Sequence, residues 1–83
     1  MATKRNTRKE LAGKLRAIRA RLGLDHEELA HKLQKFEPTV YPGLVLRFEH
    51  GKVEPSLLVV LGYARLAGIS MESLVDDRMK LPK

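Results

Sequence analysis

The sequence contains no cysteine, which excludes a disulfide framework, a thiolate zinc site and a thiol nucleophile. Three histidines are too few to replace such ligands, and a reducing, cytoplasmic setting is expected. Long apolar runs are also missing. The longest, Leu57 to Leu61 continued by Gly62, Tyr63 and Ala64, falls far short of the roughly 20 residues that cross a bilayer. The charged start MATKRNTRKE leads into no apolar stretch of the signal-peptide kind, so neither a membrane span nor an exported leader is expected. No strand alternation, repeat or low-complexity tract interrupts the 83 residues. What remains is one small all-α domain, near the size at which a single core must offset the whole entropy cost of folding.

Acidic residues are scarce as well: 10 Asp and Glu stand against 16 Lys and Arg, a net charge of +6. The excess is concentrated early, since Lys4, Arg5, Arg8, Lys9, Lys14, Arg16, Arg19 and Arg21 precede residue 22 with only Glu10 against them. A basic arm running into a basic helix suits a polyanion, because each cation set against a phosphate releases condensed counterions. Charge alone fits a solvated helix face and a soluble tail equally well.

The apolar residues that are present fall at helical spacing. Leu11, Leu15, Ile18 and Leu22 form one stripe, with a Thr7 and Glu10 capping box before it and Gly23 to end it, so a helix is expected over residues 8–22. Asp25 and Glu28 repeat the box, and Leu24 can staple onto Leu29, starting a second helix that ends near Gln34 or Lys35. Pro38 and Thr39 mark a loop. Pro42 suits the first position of a third helix to about His50, closed at Gly51. Pro55 and Ser56 open a fourth to Ala67, and Ser70 caps a short fifth through Val75. The expected organisation is a flexible basic arm at 1–7, a helical domain at 8–75 and a polar, fraying tail at 76–83.

The segments LRAIRARLGL, EELAHKL, FEHGKVEPS and LGYARLAGISMESL carry a resemblance over Leu15 to Val75. In their order the chain resembles the Cro and phage-repressor type of helix-turn-helix domain, the XRE family. The resemblance implies a compact five-helix fold in which the third helix enters the major groove and the second braces on the backbone. It sets Tyr41, Pro42, Gly43, Leu44 and Arg47 at groove-facing positions. Arg47 would donate to guanine, the Tyr41 hydroxyl would reach a base or phosphate, Gly43 would admit close backbone approach, and Leu44 would meet a thymine methyl. Leu46 is given no clear place. His26, His50 and Lys52 match backbone-contacting positions, with the arm residues Lys4 and Arg5 and the lysine Lys35 as further phosphate contacts. Arg19 and Glu49 match a partly buried ion pair. The chain departs from the family in the eleven residues between Leu33 and Val45, QKFEPTVYPGL, a lengthened turn that Phe36, Val40 and Leu44 would pack onto the domain.

Two enzymatic readings are unsupported by spacing. In HEELAH the histidines His26 and His31 lie five apart, about 140° around a helix, whereas a zincin needs them four apart. In GLVLRFEHGK seven residues separate Gly43 from Gly51, and Val53 stands where a Walker loop needs Ser or Thr. Ser56, Ser70 and Ser73 read as caps, and Asp76 and Asp77 as a solvated pair, so no catalytic constellation, metal or cofactor is expected.

The fourth helix is apolar on much of its circumference. Leu57, Val60, Leu61, Ala64 and Ala67 are expected to face the core. Val59, Gly62, Tyr63 and Leu66, with Leu58 and Met71 at the edge, form a second face to be covered by the long turn, by the tail or, as favoured, by a second copy. The expectation is a DNA-binding transcription regulator, a repressor acting on double-stranded DNA as a homodimer. The rival is a protein-interaction module such as an antitoxin, whose apolar third helix, with Leu44 and Leu46, grips a protein partner.

Overall fold

Capping residues delimit the helices. A computed structural model describes residues 10–82, and these form five helices: α1 Leu11–Leu22, α2 His26–Leu33, α3 Pro42–Glu49, α4 Leu57–Ala67 and α5 Met71–Val75. No strand occurs among the described residues. The domain is all-α. Asp25 and Glu28 form the complete reciprocal box at the start of α2, with bonds of 2.7 and 2.9 Å, each satisfying a backbone donor that the helix leaves orphaned. Ser56 and Ser70 accept from the amides of Val59 and Ser73 in the same way. Gly23 ends α1 at φ 70°, where a side chain would be strained.

The stripe Leu11, Leu15 and Ile18 is buried against Leu29, Leu33, Val45, Phe48, Val59, Tyr63 and Leu74. The start of α1 differs from expectation. Its first residue is Leu11, and Glu10 makes no side-chain cap; instead the Glu10 amide donates to Asp77 Oδ1 at 3.2 Å. Thr7, the other half of the expected box, lies outside the described residues, as do Lys4, Arg5 and the arm.

The tail at 76–83 does not fray where it is described. Lys14 is buried, and its ammonium donates to the carbonyls of Ser73 at 2.7 Å, Leu74 at 3.4 Å and Asp76 at 3.0 Å. A cation over the unpaired carbonyls at a helix C-terminus is favourable on both hydrogen-bonding and dipole grounds. Arg21 donates to the Pro82 carbonyl, and Leu81 packs on the core. The tail is strapped along α1.

The lengthened turn, residues 34–41, is also built structure. Gln34 Nε2 donates to the Val40 carbonyl at 2.9 Å, the amides of Phe36 and Glu37 both return to the Leu33 carbonyl, and Val40 is buried. Phe36 lies over Gly62, where a Cβ would stand 2.7 Å from the Phe36 ring and 2.9 Å from Leu33. Glycine at 62 is what lets the turn close on α4.

That packing corrects the expected faces of α4. Val59, Val60, Tyr63 and Ala64 are the buried residues, whereas Leu57, expected inside, is 74% exposed. The second apolar side of the helix is covered by the chain itself through Leu33 and Phe36. Val59, Gly62 and Tyr63 are therefore buried within one copy and present no surface to another.

Candidate nucleic-acid interface

Helix α3 is held by three inward residues, Val45, Phe48 and Glu49. With about 100° per residue, the opposite side carries Pro42, Gly43, Leu46 and Arg47, with His50 continuing it at the C-terminal cap, and all five are exposed. Arg47 thus stands free on the outward side. Leu44 does not: it is half-buried and packs on the core, so the position expected to meet a base belongs to the scaffold. Leu46, left without a place by the sequence reading, is 40% exposed on the outward side. Counting around the helix from Val45 and Phe48 would have found it.

The N-terminal tip of α3 has its own arrangement. Tyr41 occupies the cap position without a capping bond, and Pro42 follows at the first turn. The Tyr41 ring lies across Gly43, where a Cβ would come within 3.2 Å of ring atom Cε2. Gly43 has no positive φ. Its missing side chain makes room for the tyrosine, which remains half exposed at the tip of the helix.

One buried carboxylate fixes the orientation of α3. Glu49, 2% exposed, accepts from Arg19 Nε at 2.7 Å and from Arg19 Nη2 at 3.2 Å, the two-pronged geometry that suits guanidinium and carboxylate. His26 Nε2 stands 3.2 Å from Oε1, the oxygen that Arg19 Nη2 also reaches. Arg19 also donates to the Leu24 carbonyl at 3.2 Å, and Arg16 donates to the backbone carbonyl of Glu49. Thus α1, α2 and α3 meet at Glu49. The Glu49 hydrogen bond holds the Arg19 guanidinium above its ordinary pKa. Burial, reinforced by the Glu49 charge, pushes the Tyr63 phenol upward, and its hydroxyl, fully buried, makes no hydrogen bond. The Arg19 and Glu49 pair was expected; His26 as its third member was not. A ring nitrogen of His26 is committed here rather than left wholly for a phosphate.

The basic residues of α1 serve the fold. Lys14, Arg16, Arg19 and Arg21 each donate to a group inside the chain. Exposed cations lie further on: Arg47 on α3, Lys52 in the turn that follows it, and Lys32 and Lys35 at the end of α2. Lys52 is fixed through its amide, which donates to the Arg47 carbonyl at 2.9 Å, and His50 is exposed beside it. His31, Lys32, Gln34, Lys35 and Leu66 line a shallow cleft of about 530 Å³.

Comparison with protein-family models, curated proteins and solved structures finds no match to this chain. Function is therefore argued from the site. Among the described residues no cluster of three His, Cys, Asp or Glu side chains could hold a metal, and no helix is long and apolar enough to cross a membrane. Of the remaining positions expected at a dimer interface, Leu58 is exposed, while Leu66 and Met71 are half-buried against the core.

Proposed function

We propose that the chain is a sequence-specific, double-stranded-DNA-binding regulator of the helix-turn-helix kind, in its simplest form a repressor. In this reading α2 braces on the backbone and α3 lies in the major groove. The observation that carries the reading is the outward side of α3: Arg47 stands exposed and uncommitted, on a helix whose orientation is fixed by the buried Glu49 carboxylate and its partners Arg19 and His26. An arginine so placed can donate to guanine O6 and N7 through two parallel bonds, and preorganised support is what turns such a contact into discrimination. Lys52 and Lys35 supply cations for the phosphates, the His50 ring offers a hydrogen-bond donor beside them, and no cofactor is required.

A second copy is part of the proposal, since two recognition helices held about 34 Å apart meet successive major grooves on one side of the duplex. With the middle of α4 buried, the apolar surface that this helix leaves for that copy is Leu57 and Leu58 at its N-terminus and the part-exposed Leu66. Arg47→Ala is the test: it is expected to relax preference at one base pair and cost about 1 to 3 kcal/mol. An equal loss on every sequence would contradict base reading. The exposure of Leu46 and Tyr41 favours a second reading, a protein-interaction module, which predicts no preference among duplexes at all.

A further inference from the structure

At the C-terminal end of α2 and in the turn after it, the cations are not matched by acids. His31, Lys32 and Lys35 are exposed, and among the described residues no carboxylate lines the cleft they share with Gln34 and Leu66. The α2 dipole, negative at this end, accounts for the cations. It does not account for the other walls. Leu66 comes from α4, rests on the core from one side and is left part-exposed among the charges. Gln34 is held by the bond from its Nε2 to the Val40 carbonyl, which leaves its Oε1 as an acceptor with no donor among the described residues.

Positive charge, an apolar floor and a free acceptor thus meet in one cleft. We propose that it docks an acidic segment of a partner protein, with carboxylates against Lys32 and Lys35, one apolar side chain on Leu66 and a backbone N–H donating to Gln34 Oε1. The DNA backbone matches the charge alone, since its phosphates accept hydrogen bonds and donate none. A second copy fits worse still. A two-fold interface sets a patch against itself, so Lys32 and Lys35 would face the same two lysines. Nor do the chain's own acids supply the segment: Asp25 and Glu28 are engaged in their capping box, Glu49 with Arg19 and Asp76 with Arg78. Leu66 therefore belongs to the partner segment, and Leu57 and Leu58 remain for the second copy. Lys35 is shared with the phosphate contacts proposed above; docking depends on no other part of the DNA reading.

The probe is the peptide acetyl-EELEE-amide, titrated into the isotope-labelled chain without DNA and followed by heteronuclear NMR. Amide shifts are expected at residues 31–35 and around Leu66. Acetyl-EESEE-amide carries the same charge and should bind about four- to tenfold more weakly, the value of a half-buried leucine. Lys32→Glu combined with Lys35→Glu, both at exposed positions, should weaken the leucine peptide by about tenfold or more. Lys80→Glu, at an exposed cation elsewhere, should change it by less than about twofold. If the two peptides bind alike, or the shifts spread evenly over every exposed cation, the cleft is a general anion surface and the proposal is overturned. If a short duplex moves the Leu66 amides and the peptide does not, the cleft is a phosphate site and the proposal is overturned likewise. Neither result touches the guanine preference that Arg47→Ala is expected to remove, so the DNA reading stands or falls separately.

Discussion

Glu49→Gln removes the charge on which three helices converge and changes almost nothing in volume. The side chain is 2% exposed and accepts from two nitrogens of Arg19, with His26 beside Oε1. An amide keeps one acceptor oxygen, so one Arg19 bond survives, but its NH₂ group then faces a donor. Removing one partner of a buried ion pair costs about 3 to 5 kcal/mol when the other charge is left without water. The Arg19 side chain is 24% exposed, so water screens part of the stranded charge, and the expected loss is about 2 to 3 kcal/mol. Each kcal/mol moves the melting temperature of a domain this size by about 4 to 8 °C. Thermal melts followed by circular dichroism at neutral pH should therefore show a fall of roughly 8 to 24 °C. Glu27→Gln, at an exposed position on α2, is the control and should move stability by no more than about 0.5 kcal/mol. If Glu49→Gln melts with that control, the cluster does not hold α3 to the domain and the argument for a fixed recognition surface fails.

Gly62→Ala should destabilise by about 1 to 3 kcal/mol through overpacking against Phe36 and Leu33, despite the roughly 1 kcal/mol that alanine gains in a helix; adding Phe36→Ala should relieve the clash, and a Gly62→Ala protein that melts higher would refute the packing. Lys14→Met should cost about 1 to 3 kcal/mol by leaving buried carbonyls of the α5 end unpaired, and hydrogen exchange should show loosening at residues 73–76 first; uniform loosening would argue against the strap. Tyr63, whose folded pKa lies above its ordinary value, is favoured as the neutral phenol, so its contribution is fully present below about pH 10, the unfolded value, and is lost as pH rises beyond it. Tyr63→Phe should match or exceed wild-type stability at pH 7, because the hydroxyl has no partner, and should exceed it by more at pH 11. A variant that loses stability at pH 7 would show that the hydroxyl is bonded.

The helices were legible because their ends are local. The Asp25 and Glu28 box, Gly23, Pro42, Ser56 and Ser70 each act within one turn, and the structure places boundaries where these residues predict them. Long-range pairings were less legible. Nothing near Lys14 in sequence distinguishes it from the other cations of α1, since its partners are backbone carbonyls about sixty residues away, and so the tail was read as free. In α4, apolar residues occupy nearly every direction, which leaves periodicity unable to choose between Leu57 and Val59 as the inward residue; Phe36 closing over Gly62 decides it. At the candidate site, the resemblance set Arg47 and Leu44 alike toward the groove, and the structure leaves Arg47 exposed but packs Leu44 on the core. Rotation about the helix axis, fixed by Val45 and Phe48, exchanges Leu44 for Leu46.

Sequence-specific DNA recognition through α3 is tested most directly by selecting bound sequences from random duplexes, in parallel with the wild-type chain and with Arg47→Ala. The account predicts an enriched, two-fold symmetric motif for the wild type, with a guanine in each half-site that Arg47→Ala no longer selects. Uniform, weak, salt-sensitive retention of all sequences by both proteins would contradict it.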